Sequence, residues 1–247
     1  MSGADRPSRA ALVTGASSGI GRAVATTLAA LGYDLTVAGR DVGRLDGLAA
    51  EISSGGRRVT TVAVDLGSPD GAERVVEAHR SSHARLDCVV ANAGGSRRAE
   101  VADTDRAALR RLLAVHVESA FALARETLPL LRRGPAEGPG WFVATASISG
   151  LVPTPAFAAY SAAKSALISL TGSINAEESA RGVRACAICP GFVDTPMTAP
   201  LSGVVAGGDM LSPQDVAAAV TFLLSLSPNA VVNQVVLERA GAGPFRP

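Results

Sequence analysis

Residues 10–21 read A-A-L-V-T-G-A-S-S-G-I-G, and this stretch decides the fold. Ala10 to Val13 is a short apolar run with the character of a buried strand. It passes directly into Thr14–Gly21, a glycine-rich turn. The next ten residues, R-A-V-A-T-T-L-A-A-L, have helical character and stop at Gly32. Strand, glycine turn and helix in this order place free backbone N–H groups at a helix N-terminus, where an anionic group is favoured. Gly15 allows the tight turn, Gly19 lets backbone approach a pyrophosphate, and Gly21 lets the helix pack on the strand.

Outward from this unit the same alternation continues. Strands are expected at Asp34–Gly39, Val59–Val64, Leu86–Val90, Trp141–Thr145, Val183–Ile188 and Val231–Leu237. Helices are expected at Arg44–Ser53, Pro69–Ser81 and Thr104–Leu131, then through Tyr160 to about Ala180, and from the Ser212 cap to Leu226. This is an α/β pattern: a doubly wound parallel sheet of about seven strands with helices on both faces. Nothing resembling a linker interrupts residues 1–247, so one dinucleotide-binding domain is expected, with a small-residue loop near 196–211 beside the substrate. In such sheets ligands bind at the carboxyl ends of the strands.

Composition narrows the function. The 247 residues are 47% hydrophobic and 18% charged, with a net charge of +1. That balance gives no electrostatic case for nucleic acid or a membrane surface. No apolar run is long enough to span a bilayer, and a cytoplasmic protein is expected. Cys186 and Cys189 spell C-x-x-C, but they fall in a strand, where residues three apart face opposite ways. With Cys88 they read as core thiols, and no metal site is expected.

The chemistry concentrates at Ser147–Lys164, S-I-S-G-L-V-P-T-P-A-F-A-A-Y-S-A-A-K. Tyr160 and Lys164 are one helical turn apart on one face. An ammonium beside a phenol favours the phenolate, which prepares it for proton transfer. Ser147 can hydrogen-bond the oxygen that receives the proton. Lys164 is the sole lysine among 23 basic Lys and Arg residues, so arginine serves wherever charge alone is needed. After the second strand, Gly39 stands where an acidic residue would hold the ribose hydroxyls of NAD, and Arg40 follows. Arg40 can pair with a 2′-phosphate, favouring NADP over NAD; the plainer reading is a solvated arginine. Asp65 ends the third strand, where it can accept from an adenine amino group.

Together these residues resemble the short-chain dehydrogenase/reductase family over about Ala10 to Leu237. T-G-A-S-S-G-I-G matches its cofactor turn, A-N-A-G (91–94) a variant of its N-N-A-G, and C-P-G-F-V-D-T-P-M its nicotinamide segment. The resemblance implies a Rossmann-type fold and hydride transfer between NADP(H) and a carbonyl or secondary alcohol. Tyr160 is then the general acid/base, Lys164 its partner and the ribose anchor, and Ser147 the group that polarises the carbonyl. Gly15, Ser17, Ser18, Gly19, Ile20, Gly21, Arg40, Asp65, Leu66, Asn92, Ala93, Gly94, Tyr160, Lys164, Pro190, Gly191, Val193 and Thr195 form the implied cofactor site. The family pairs two long helices across subunits, so a homodimer or homotetramer is expected.

Three positions depart from the family pattern. His116 stands where the family has an asparagine in the long helix, and either packs there or relays protons. Ala144 replaces an asparagine before the serine, and E-R-A-G replaces a common D-G-G after the last strand. The substrate pocket is expected to include Gly95, Ser149, Val152, Phe157, Phe192 and the Met197–Met210 segment. Arg97 and Arg98 either meet an acidic substrate or are solvated surface. The leading reading is a ketone or aldehyde reductase. The rivals are a non-catalytic cofactor sensor or scaffold, and a non-redox acid/base enzyme.

Overall fold

Seven parallel strands form one sheet in the order β3-β2-β1-β4-β5-β6-β7. They are β1 (Ala10–Thr14), β2 (Asp34–Gly39), β3 (Val59–Ala63), β4 (Cys88–Ala91), β5 (Gly140–Thr145), β6 (Val183–Pro190) and β7 (Gln234–Leu237). The helices are α1 (Gly19–Ala30), α2 (Val42–Ser54), α3 (Gly71–Ser82), α4 (Arg106–Leu113), α5 (Ser119–Leu131), α6 (Ala158–Glu178) and α7 (Pro213–Leu224). The structure, a computed structural model, describes residues 8–133, 138–201 and 209–241. The expected α/β doubly wound sheet is therefore observed. Residues 202–208 of the small-residue loop lie outside the described residues.

Side-chain alternation along the strands explains the two layers of helices. Ala11 and Val13 of β1 point to a core shared with α1, α2 and α7, where Val24, Leu28, Leu45, Val220 and Leu223 are buried. Leu12 points to the opposite core, with Val75, Leu123, Leu167 and Ile174 of α3, α5 and α6. A strand buried on both faces has no polar alternation, which is why β1 reads as a continuous apolar run. Cys186 belongs to the first core and Cys189 to the second, as their spacing requires. All three cysteines are buried free thiols. Burial raises Cys186 to about 12 and Cys189 to about 11, away from the reactive thiolate range.

Element ends shift where a side chain supplies a cap or takes a backbone partner. Helix α2 starts at Val42, ahead of Arg44, because the Asp41 carboxylate accepts the Arg44 N–H at 3.0 Å. Helix α7 has the expected Ser212 cap, reinforced by a reciprocal bond from the Ser212 N–H to Asp215 at 2.7 Å. Strand β7 begins at Gln234 rather than Val231. Arg184 reaches across to the Pro228 and Ala230 carbonyls and holds the approach to the strand in a loop.

The largest departure concerns the long helix. Thr104–Leu131 was expected to be continuous, but Ala114–Glu118 is a π-helical turn between α4 and α5. A π turn carries one extra residue and re-aims its side chains, often at functional sites. Here it carries His116.

His79, His83 and His116 are the chain's three histidines, and all are buried. His79 meets Thr36 Oγ1 at 2.9 Å, the Arg85 carbonyl at 3.0 Å and the His83 ring at 4.9 Å. His83 faces Thr60 and the charges of Arg58 and Asp34. Burial holds His79 down at about 4 and also lowers His83. The unfolded chain binds these protons near 6.5, so the folded state loses stability as pH falls below that value. We expect the urea midpoint to drop between pH 6.5 and 4.5. His79→Gln is expected to flatten that slope by up to about 1.4 kcal/mol per pH unit, one proton's worth. An unchanged slope would show that His79 titrates normally.

Candidate active site

The carboxyl ends of β1, β2, β3 and β4 open on one cavity, and those of β5 and β6 on a second that adjoins it. Gly94, Ser96, Thr195 and Met197 border both. The break between them follows the sheet topology. The chain leaves β1 toward β2 on one side and resumes with β4 on the other, which leaves a crevice above β1.

The glycine turn builds the floor of the first cavity. Gly15 has φ +66° and lies so close to the 92–93 turn that a side-chain carbon there would fall 2.9 Å from the Ala93 Cα. Only glycine meets both conditions without strain. Ser17, Ser18, Gly19 and Ile20 line the cavity. Ser18 makes no side-chain cap to α1, so it leaves the first-turn amides without a side-chain acceptor from the cap position. Gly21 is not on the wall. It packs below, where a Cβ would lie 2.3 Å from the Gly15 carbonyl.

The outer rim is made by Arg40, Asp65 and Leu66. A Cβ at Gly39 would meet Ser17 Oγ at 3.2 Å, and Gly39 itself supplies no carboxylate. The inner rim is the turn 92–94. Its geometry depends on Thr14, whose fully buried hydroxyl accepts the Asn92 and Ala93 N–H groups, both at 3.0 Å. Asn92 Nδ2 returns a bond to the Thr14 carbonyl at 3.1 Å. Pro190, Gly191, Val193 and Thr195 lie on the second cavity. Thr198 ties this segment together, donating to the Val193 carbonyl at 2.5 Å and accepting the Thr195 N–H at 3.1 Å. Thr14 and Thr198 were missed in the sequence because a threonine at a strand end or in a loop carries no motif.

Ser147, Tyr160, Lys164 and His116 all line the second cavity. Ser147 follows β5 and caps a short 3₁₀ turn, its Oγ accepting the Ser149 N–H at 3.1 Å. Lys164 is buried, and its Nζ donates to the Thr145 carbonyl at 2.6 Å. Desolvation lowers it from 10.5 to about 7. Tyr160 differs from expectation. Burial raises its phenol to about 12, and the neighbouring Ser147 hydroxyl pulls it back only in part. Lys164 does not outweigh that burial: its Nζ is directed at Thr145 and sits 5.4 Å from the centre of the ring.

His116 closes the inner wall. Its Nε2 lies 2.7 Å from the Gly95 carbonyl and 3.2 Å from the Gly95 N–H, so a single ring nitrogen faces both groups. The shorter contact fits a protonated Nε2 donating to the carbonyl. Its ring meets Tyr160 edge-on at 5.6 Å. Burial, then the charge of Lys164, lowers it to about 3, so it is neutral at ordinary pH and serves as a hydrogen-bonding group.

Of the other expected pocket residues, Ser149, Phe157, Phe192 and Met197 line the second cavity. Gly95 lies on the first instead, and Val152 is exposed on the outside. Arg97 lines the first cavity and pairs with Asp105 at 3.1 Å.

A floor of backbone amides at a helix start, beside a pocket holding a serine, a tyrosine and a buried lysine, defines a nucleotide-dependent oxidoreductase site. Residues 9–203 match the model of the short chain dehydrogenase family, and the chain belongs to that family. It is 37% identical to 1-deoxy-11-beta-hydroxypentalenate dehydrogenase of Streptomyces exfoliatus, over 85% of this chain and 77% of that one. It is 32% identical to cis-4-hydroxycyclohexanecarboxylate dehydrogenase of Sinomonas cyclohexanicum, over 94% and 96%. Among solved structures it resembles an alcohol dehydrogenase from the archaeon Thermococcus sibiricus complexed with 5-hydroxy-NADP. That match has TM-score 0.84 and 26% identity, and covers 96% of this chain and 98% of the other.

The contact between His116 and residue 94 is directly testable. A Cβ at Gly94 would lie 2.3 Å from His116 Cε1. Gly94→Ala is expected to cost about 1–3 kcal/mol in urea unfolding. Placed on top of His116→Ala, the same change is expected to cost almost nothing. Equal cost in both backgrounds would contradict the packing described.

Proposed function

We propose that this protein is an NADP(H)-dependent dehydrogenase/reductase that interconverts a small ketone or aldehyde with its alcohol. The observation that carries this reading is the meeting of Ser147, Tyr160 and Lys164 in one pocket, directly beside the amide-floored cavity. The backbone at Ser18–Ile20 and the turn at 92–94 fit a dinucleotide, and Arg40 with no acidic residue at Gly39 favours NADP over NAD. The 5-hydroxy-NADP bound to the Thermococcus alcohol dehydrogenase supports the same choice. The Streptomyces and Sinomonas dehydrogenases are named for hydroxylated acids, which supports an alcohol as the substrate.

When bound, the nicotinamide supplies or accepts the hydride. The protein's part is to hold the substrate oxygen and move one proton. Ser147 Oγ and the Tyr160 hydroxyl bind that oxygen, and in reduction Tyr160 passes it its proton. A phenol near 12 stays protonated until a charge develops on the oxygen beside it. Lys164 in its ammonium form then offsets the phenolate charge. His116 holds Gly95 and keeps the wall behind Tyr160 in place. The apolar walls, Phe157, Phe192 and Met197, exclude water.

We further propose that residues 1–247 act as one unit, as a cytoplasmic homodimer or homotetramer. Phe121 on α5, 61% exposed, supports pairing through that helix. No helix among the described residues is long and apolar enough to cross a membrane.

The test is turnover. NADPH oxidation at 340 nm against a panel of cyclic ketones is expected for the wild type. Tyr160→Phe is expected to lower kcat by about 10²–10⁴-fold. Undiminished turnover in that variant would overturn the role of the phenol. Carbonyl reduction is expected to fall as pH rises through about 7, where Lys164 gives up its proton. A profile flat from pH 6 to 9 would separate Lys164 from the reaction.

A further inference from the structure

The rim of the first cavity holds two arginines in different states. Arg40 follows β2, borders the cavity, and makes no hydrogen bond or ion pair among the described residues. Arg111, on α4, also borders the cavity, but both of its contacts go to one carboxylate. Its Nη2 lies 2.9 Å from Asp65 Oδ1 and 2.7 Å from Oδ2. The third contact on Asp65 is the Gly67 N–H, at 2.9 Å from Oδ1. Burial pushes the Asp65 carboxyl up, but the Gly67 amide, Arg111 and the charge of Arg40 outweigh it and hold it below its ordinary value. Asp65 is therefore ionised at the cavity edge and within the field of Arg40.

That arrangement is an electrostatic problem with a local answer. Strands β2 and β3 are neighbours, with Gly39 opposite Ala63, so Arg40 and Asp65 emerge from adjacent strand ends. An anion drawn to Arg40 meets the Asp65 carboxylate close by. A phosphate monoester carries about −1.5 to −2 charges at neutral pH, so an uncovered carboxylate would repel it. Arg111 covers that carboxylate. The fit around Arg111 is close: a Cβ at Gly67 would fall 2.6 Å from its Nη1 and 2.8 Å from Val115 Cγ2. Both faces of the adenosine end thus present positive or neutralised charge, and the glycine at 67 makes room for the covering guanidinium.

We infer that Arg111 is a cofactor-selecting residue: by masking the Asp65 carboxylate it allows Arg40 to receive a 2′-phosphate. The inference rests on the dinucleotide reading of this cavity. It differs from a simple second phosphate contact, because Arg111 acts through Asp65. Removing the arginine should hurt the 2′-phosphorylated cofactor selectively, and removing the carboxylate as well should repair the damage.

The test is equilibrium titration with NADPH and with NADH, followed by nicotinamide fluorescence and read as the ratio of the two affinities. Arg111→Gln is expected to lower the NADPH:NADH ratio by about tenfold, more strongly at low salt. Arg111→Gln with Asp65→Asn is expected to recover most of it. Asp65→Asn alone is expected to keep the ratio at or above the wild-type value, which provides a readout should Arg111→Gln fold poorly. Equal weakening of both cofactors in Arg111→Gln, no recovery in the double variant, or a tenfold fall in the ratio for Asp65→Asn would each overturn the inference. Wild-type protein that binds NADPH no more tightly than NADH would overturn the cofactor reading itself. The wild-type titration comes first, so the two failures are distinct.

Discussion

The site depends on one amine kept out of water. Lys164 is 4% exposed, and among the described residues its Nζ makes a single hydrogen bond, to the Thr145 carbonyl at the end of β5. Burying a lone ammonium is costly, and the amine answers by moving its protonation toward neutral pH. Arginine cannot make that response, because its guanidinium stays charged. The rest of the pocket follows from this placement. Helix α6 must pass close to the turn after β5, and a Cβ at Gly150 would lie 2.8 Å from the Lys164 backbone carbon. Ser165 fastens the same approach by donating to the Gly150 carbonyl at 2.7 Å. Tyr160, one turn earlier on α6, is thereby set beside Ser147.

The far wall of the pocket depends on an irregular backbone. The π turn at Ala114–Glu118 points His116 at the 94–95 turn, and Gly94 is small enough to admit the ring. Ser119 Oγ, at the start of α5, donates back into this turn, to the Val115 carbonyl at 2.5 Å. The imidazole is neutral, so it links the cofactor side of the site to the Tyr160 side by packing and hydrogen bonding, without carrying charge between them.

The sheet was legible in the sequence because its strands are buried on both faces and its turns carry glycines at fixed places. The α/β class, the order of elements and the grouping of Ser147, Tyr160 and Lys164 followed from local pattern. The π turn was not legible, since Ala114–Glu118 has helical composition and the extra residue is decided by what His116 meets across the chain. The direction of the Tyr160 shift was misread for a related reason. Spacing on a helix shows that two side chains share a face, but not where the ammonium is aimed. Arg111 also escaped notice, because an arginine on a polar helix face gives no sign of the carboxylate it covers. Each of these depends on contacts between segments distant in sequence. Such contacts decide pKa values and side-chain aim, whereas periodicity decides elements.

Because Lys164 is the chain's sole lysine, lysine-selective isotope labelling gives one side-chain resonance to follow. The decisive measurement is the pH titration of that resonance by NMR in the folded protein. A midpoint near 7 is the expected result, and it would establish a buried amine poised beneath Tyr160. A midpoint near 10.5, the ordinary value, would mean that the amine is solvated and that the pocket is not organised around it.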